Sequence, residues 1–131
     1  MDGWAPIATE LPPGIVLDLP APPSVNKTRK VDWAARGVVR AWTNVADGFV
    51  TAAKARTISP LKLVKIPKFE LNILLSEHHT RIDLDNGLKS VIDYLRRIEL
   101  IEDDSPKHMR RLVIEWGVAP FGCRVIVRPV E

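Results

Sequence analysis

The chain contains only one cysteine, Cys123, among its 131 residues. A single cysteine excludes an internal disulfide, and its position in an apolar alternation predicts a buried small side chain in a reducing compartment. No apolar run approaches the roughly 20 residues that a membrane-spanning helix needs. Residues 1–8 lack the basic start and long apolar stretch of a signal peptide. We therefore expect a cytoplasmic protein with no membrane partner.

The chain also has little net charge. The chain has 19 lysines and arginines against 16 acidic residues, a net charge of +3, which biases it only mildly toward nucleic acid. The basic residues nevertheless bracket one acidic segment: Lys27, Arg29, Lys30, Arg36 and Arg40 precede it, and Lys107, His108, Arg110 and Arg111 follow it. Such groups bind phosphate backbones, although an ordinary surface position explains any one of them equally well.

The length predicts one domain that is large enough to hold a core. Residues 1–13 are rich in proline and lack periodicity, so we expect a loose leader before a domain at 14–131. The predicted elements are a strand at 15–19, a helix at about 32–54, strand runs within 61–76, a helix at 86–98, and strands at 111–116 and 124–130. This order predicts an α/β or α+β fold in which two main helices pack against a single mixed β-sheet.

The first predicted helix carries several aromatic residues. Its apolar positions are Trp33, Val38 or Val39, Trp42, Val45, Phe49, and Ala52 or Ala53. Aromatic side chains could stack on bases, but their helical spacing makes core packing the better interpretation.

The most informative segment runs from Arg81 to Asn86 and contains two aspartates, Asp83 and Asp85. If residues 81–85 end a strand, the two aspartates and Arg81 share a face, with the aspartate Cα atoms about 6 to 7 Å apart. Two carboxylates that close together repel unless a cation lies between them or solvent separates them. Oxygen ligands favour Mg²⁺ or Mn²⁺, and Mg²⁺ keeps waters that a phosphate can displace. An Asp-x-Asp sequence alone, however, is more often a solvated helix cap.

The helix predicted at 86–98 has two different sides. The apolar stripe consists of Leu88, Val91, Ile92, Leu95 and Ile98. Asn86, Lys89 and Asp93 fall on the other side, and Asp85 or Asn86 could cap the helix. Lys89 would then lie one turn in, beside the acidic pair, where it could neutralise charge on a phosphate oxygen or protonate a leaving oxygen.

Two other pairs of adjacent polar residues, Asp103-Asp104 and His78-His79, are less specific signals of function. Asp103 and Asp104 could form a polar turn, which is the better account of Asp103. His78 and His79 suggest a metal site, but adjacent strand residues point to opposite faces, so we expect solvated loop residues.

Two ordered motifs make the chain resemble the RusA-type Holliday junction resolvases. Asp83-Leu84-Asp85-Asn86-Gly87-Leu88-Lys89 followed by Asp103-Asp104 resembles the Asp-x-Asp-Asn-x-x-Lys element and Asp-Asp pair of that family. Pro22-Pro23-Ser24-Val25-Asn26-Lys27 resembles its Pro-x-Ser-x-Asn segment. In order, the resemblance covers roughly residues 15 to 128, but it is specific only in these two motifs.

The resemblance implies a RusA-like fold and a Mg²⁺-dependent endonuclease, with Mn²⁺ as a possible substitute and no organic cofactor. Such an enzyme, cytoplasmic and bacterial or phage-encoded, nicks two opposed strands of a four-way DNA junction as a homodimer, in DNA recombination and repair. Residue by residue, Asp83, Asp85 and Asp104 match the catalytic metal ligands and Lys89 the catalytic lysine. The expected DNA-binding residues are Asn26, Lys27, Arg29, Lys30, Arg81 and Asn86.

Two alternatives stay open. One is a DNA-binding module without catalysis, in which the acidic cluster is structural. The other is a metal-dependent nuclease for another branched DNA, because family members are more basic just before the acidic motif, where this chain has only Arg81.

Overall fold

The computed structural model of the protein describes residues 14–23, 33–56, 66–80 and 82–130. The strands are β1 (Ile15–Pro20), β2 (Phe69–Leu75), β3 (Met109–Trp116) and β4 (Gly122–Pro129). The helices are α1 (Trp33–Arg56) and α2 (Leu88–Arg97). The predicted leader at 1–13 lies outside the described residues. Within the described part, neither helix is long and apolar enough to cross a membrane.

The four strands form one mixed sheet in the order β1-β4-β2-β3. Strand β4 runs antiparallel to both β1 and β2, whereas β3 runs parallel to β2. Together with the two helices, this sheet gives the α+β architecture that the order of elements predicts. Consecutive strands β3 and β4 do not pair with each other, because β2 lies between them.

The link between β3 and β4 returns to the sheet at Gly122. This residue has a φ of +117°, and a Cβ placed there would lie 2.6 Å from the backbone nitrogen of Ala21. Only glycine combines that left-handed φ with so close an approach. The position thus fixes where β4 begins, next to the end of β1.

The core lies between one face of the sheet and the two helices. Alternate residues of β2, namely Phe69, Leu71, Ile73 and Leu75, are fully buried, and the same cluster contains Val91 and Leu95 of α2. Ile92 is also buried, while Leu88 and Ile98 pack against the cluster from its margin. The apolar stripe predicted for the second helix is therefore confirmed.

The stripe predicted for α1 is only partly right. Trp42 is buried as expected, and its indole Nε1 donates a hydrogen bond to the Pro20 carbonyl at 3.0 Å. Val45, however, is 51% exposed, and the residues buried with Trp42 are Ala46 and Val50. The helix packs along the four-residue row 42-46-50, where the small Ala46 lets the backbone approach the core.

Cys123 is fully buried on β4, as predicted. Burial, with a smaller contribution from the charge of Asp18, raises the pKa of its thiol to about 12. The side chain therefore acts as a small apolar group of the core.

Candidate functional site

The two aspartates of the acidic motif lie on a pair of turns, in a segment that we call the acidic loop (residues 82–87). Strand β2 ends at Leu75, and the prediction that residues 81–85 end a strand is wrong for the described residues among them. The Asn86 amide donates to the Asp83 carbonyl at 3.0 Å, and the Leu88 amide donates to the Asp85 carbonyl at 3.3 Å. Asp, Asn and Gly favour such turns, and here they outweigh the β-propensity of Ile82 and Leu84.

Neither aspartate side chain is used to cap the following helix. Helix α2 begins at Leu88, its N-cap is Gly87, and no side chain bonds to the free amides, so the predicted cap at Asp85 or Asn86 is wrong. The side chains of Asp83 and Asp85 are exposed, and neither has a hydrogen bond or ion pair to another described residue. Both carboxylates are therefore open to a ligand from solvent.

The acidic loop contacts the proline-rich segment that carries the other motif. Gly87 is buried, and a Cβ there would lie 2.7 Å from Cγ of Pro22 and 3.0 Å from Cδ1 of Ile82. Pro22 closely follows the end of β1. The fold thus places Pro22, the first residue of the proline-rich motif, against an acidic loop that lies about 60 residues later in the chain. Asn26, Lys27, Arg29, Lys30 and Arg81 lie outside the described residues.

Lys89 is the second residue of α2, so it lies in the first turn of the helix and not one turn in as expected, and 70% of its side chain is exposed. Its Nζ is 3.6 Å from a carboxylate oxygen of Asp93, which confirms that these two residues share a side of the helix. Both line a cavity of about 280 Å³ between α1 and α2, together with Thr43 and Val39. An exposed ion pair of this kind is worth roughly 0 to 1 kcal/mol. Lys89 can therefore leave Asp93 for a phosphate at little cost.

Asp104 lies beside an arginine that the motifs do not include. The guanidinium of Arg96 donates to Asp93 at 2.6 Å and to Asp103 at 3.4 Å, and it lies 3.9 Å from the carboxylate of Asp104. The hydrogen bond to Asp93 is the main cause of a raised pKa of Arg96. The backbone amide of Asp104 is the main cause of a lowered pKa of Asp103. The i, i+3 spacing of Asp93 and Arg96 is the sequence signal that could have identified this arginine.

The carboxylates of Asp83, Asp85 and Asp104 are of the ligand type that Mg²⁺ prefers. Among the described residues, no three metal-ligating side chains are grouped, so the structure does not gather Asp83, Asp85 and Asp104 at one point. Mg²⁺ needs only one or two carboxylates besides water, and Asp83 and Asp85 supply two exposed ones. Arg96 meanwhile provides positive charge to Asp104. The acidic loop thus offers the number and type of ligands that Mg²⁺ needs, whereas Asp104 lies beside an arginine.

A hydrogen-bond network holds α2 against α1. The hydroxyl of Tyr94 donates to Asp47 at 2.8 Å, and Arg97 donates to both oxygens of the same carboxylate at 2.8 and 3.0 Å. Burial and then Asp47 raise the pKa of Tyr94 above its usual range. Desolvation by itself would raise the pKa of Asp47, but the bonds from Arg97 and Tyr94 outweigh it and lower that pKa. The network fixes the helix that carries Lys89.

The remaining predicted binding residues divide into exposed and structural ones. Arg40, Lys107, Arg110 and Arg111 are exposed, as a phosphate-binding role needs. Asn86 is half-buried in the acidic loop. His108 instead donates from Nδ1 to the Pro67 carbonyl at 2.6 Å, which gives it a structural role.

His78 and His79 are exposed on the turn that follows β2, so the prediction of solvated loop residues is confirmed.

Comparisons with known proteins do not assign the chain to a family. No protein-family model matches the chain, and no curated protein matches it.

Proposed function

We propose that the protein is a Mg²⁺-dependent endonuclease for branched DNA, with the four-way junction as its expected substrate. The observation that carries the proposal is the contact between Gly87 and Pro22, because these residues belong to the two motifs that resemble those of the RusA-type resolvases. The exposed carboxylates of Asp83 and Asp85 beside that contact support it further. Phosphodiester cleavage by oxygen-ligated Mg²⁺ is the chemistry that such a loop suits best.

Each residue of the site has a distinct role in this proposal. Asp83 and Asp85 would hold the ion, and Asp104 would join them on leaving Arg96. When bound, Mg²⁺ activates water and neutralises charge on the phosphate. Lys89 leaves Asp93 and stabilises negative charge on the leaving oxygen. The basic residues before α1, Lys27, Arg29 and Lys30, hold the DNA backbone together with Arg81 and Asn86.

A homodimer completes the proposal. A two-fold axis would present two copies of the acidic loop to two strands of a junction that has the same symmetry. One site in each chain then suffices for paired nicks.

The residue assignment can be tested with matched aspartate variants. Asp85→Asn and Asp104→Asn should reduce junction cleavage in Mg²⁺ by at least about 100-fold while junction binding is kept, because each removes a metal ligand but no DNA contact. Asp103→Asn is the matched control, since it makes the same charge change one residue away and should keep most of the activity. Wild-type cleavage by Asp85→Asn, or equal loss in Asp103→Asn and Asp104→Asn, would contradict the assignment.

A DNA-binding module without catalysis is the second candidate. It is favoured by the lack of a three-ligand group among the described residues. This candidate predicts salt-sensitive DNA binding that persists in EDTA, with no cleavage in any divalent metal. A nuclease for another branched DNA differs from the first proposal only in its substrate preference.

A further inference from the structure

A second candidate site lies where the parallel strands β2 and β3 end together. The Gly117 amide donates to the carbonyl of Leu75 at 2.9 Å, and just past these paired strand ends follow the segments 76–79 and 117–120. A cavity of about 480 Å³ opens between them, which we call the strand-end pocket. Its lining includes Ser76, Glu77, His78, His79, Trp116 and Val118. Its size and its place at the carboxyl ends of parallel strands are both typical of ligand sites.

Part of the lining of the strand-end pocket is apolar. Trp116 is 43% exposed and Val118 is 79% exposed, although both are large apolar side chains. An indole that is left partly in water offers its ring to a planar ligand. Trp116 is fixed at the end of β3 by its pairing with Leu75, so its position is set before any ligand arrives.

The polar part of the pocket lining is held by hydrogen bonds to Ser76. Ser76 is only 4% exposed, and its Oγ accepts from the amide of His78 at 3.3 Å. The same oxygen lies 2.9 Å from Nδ1 of His79. This bond orients the imidazole and leaves Nε2 of His79 for another partner. A buried hydroxyl therefore holds an exposed histidine in the same pocket as an exposed tryptophan.

We propose that the strand-end pocket binds an unpaired base of a DNA strand, with the base on Trp116 and the imidazoles of His78 and His79 at its polar edge or neighbouring phosphate. Base stacking on an aromatic ring needs only a flat face, and imidazoles can donate or accept hydrogen bonds. The choice of DNA rests on the proposed function. His79 precedes Asp83 by four residues, so their Cα atoms are at most about 14 Å apart.

That distance corresponds to about four nucleotides along one strand, at roughly 3.4 Å per phosphate in duplex DNA. A strand held at the acidic loop therefore has bases within reach of the strand-end pocket. A branch point is also the place where bases lose their stacking neighbours. The pocket would capture such a base and so favour branched DNA over linear duplex.

The test measures binding without cleavage. A single-stranded oligonucleotide of about 12 nucleotides with one 2-aminopurine is titrated with protein in EDTA, and fluorescence reports both affinity and stacking. Trp116→Ala should weaken binding by about 5- to 100-fold and abolish the stacking signal, whereas Trp116→Phe should keep most of both. The control is Leu112→Ala, because Leu112 lies on the same strand, is 38% exposed and lies outside the pocket.

Equal affinity of Trp116→Ala and Leu112→Ala would overturn the proposal. So would an equal loss of affinity for linear duplex, because that loss would reflect phosphate contacts alone. Unchanged DNA binding in Trp116→Ala alongside Trp116-dependent peptide binding would assign the pocket to a protein partner and overturn it as well. If the Trp116-dependent stacking holds but no junction is cut in Mg²⁺, the nuclease fails while the base pocket stands.

Discussion

Gly87 offers a sharp test of the contact that joins the two motifs. Its φ of −91° and ψ of −12° are ordinary for any residue, so alanine meets no backbone strain there. A Cβ would nevertheless lie 2.7 Å from the rigid ring of Pro22 and 3.0 Å from Ile82. Overpacking of this kind costs about 1 to 3 kcal/mol, whereas the lost flexibility of glycine returns up to about 1 kcal/mol. We expect Gly87→Ala to lower the free energy of unfolding by about 1 to 2 kcal/mol.

Two glycines of α1 provide controls with the opposite expected sign. A Cβ at Gly37 or Gly48 would have nothing within 4 Å, apart from the backbone of its own helix and its chain neighbours, and both residues are exposed. Gly37→Ala and Gly48→Ala should each raise the free energy of unfolding by about 0.5 to 1 kcal/mol, because alanine has the higher helix propensity.

Urea unfolding followed by circular dichroism measures the free energy of unfolding of all three variants. The thermal midpoints should change in the same directions, and that of Gly87→Ala should lie about 3 to 8 °C below wild type. Adding Pro22→Ala removes the clashing ring, so the double variant should recover at least about 0.5 kcal/mol relative to the sum of the two single changes. A close contact between Gly87 and Pro22 would be refuted if Gly87→Ala were stabilised like the α1 variants. It would also be refuted if the effects of Gly87→Ala and Pro22→Ala were additive.

Three other predictions concern separate parts of the molecule. Tyr94→Phe should cost about 1 to 2 kcal/mol by removing the bond to Asp47. Because folding raises the pKa of Tyr94, its contribution to the free energy of unfolding is fully present below about pH 10 and is lost at higher pH. The Tyr94→Phe variant should therefore lose less stability than wild type at alkaline pH. Absorbance can follow the titration, because Tyr94 is the only tyrosine in the chain. Cys123 should resist thiol reagents at pH 8 in the native protein and react once urea unfolds it, and rapid native labelling would contradict its burial. Lys89→Met should change stability by less than about 0.5 kcal/mol yet reduce junction cleavage at least about 100-fold, whereas unchanged cleavage would remove Lys89 from the site.

The sequence predicts the elements that have a clear period. The stripe of α2 repeats at helical spacing, and this spacing is enough to assign Val91 and Leu95 to the core. Alternation likewise locates β2, where every second residue is buried. The predicted mixed sheet with two helices follows from the order of these elements.

Turn chemistry and long-range pairing could not be predicted in the same way. The acidic loop follows a strand closely enough to be taken for its end, but Asp, Asn and Gly turn the backbone there. The insertion of β4 between β1 and β2 depends on pairings between residues far apart in sequence, which no local pattern encodes.

The same limit applies to the site. Asp47 and Arg97 are 50 residues apart in sequence and meet only because α1 and α2 pack together. The contact between Pro22 and Gly87 is also invisible until the chain is folded. The motifs identified candidate metal ligands. The structure adds Arg96, whose guanidinium lies near the carboxylate of Asp104.

We propose above that the acidic loop forms the active site of a nuclease for branched DNA. The most direct measurement is a cleavage assay on a synthetic four-way junction beside a linear duplex of the same arms, in Mg²⁺ or in EDTA, with wild type and Asp85→Asn. The account predicts paired, symmetric nicks in the junction that require both Mg²⁺ and Asp85. Binding of the junction without cleavage in Mg²⁺ and in Mn²⁺ would contradict it.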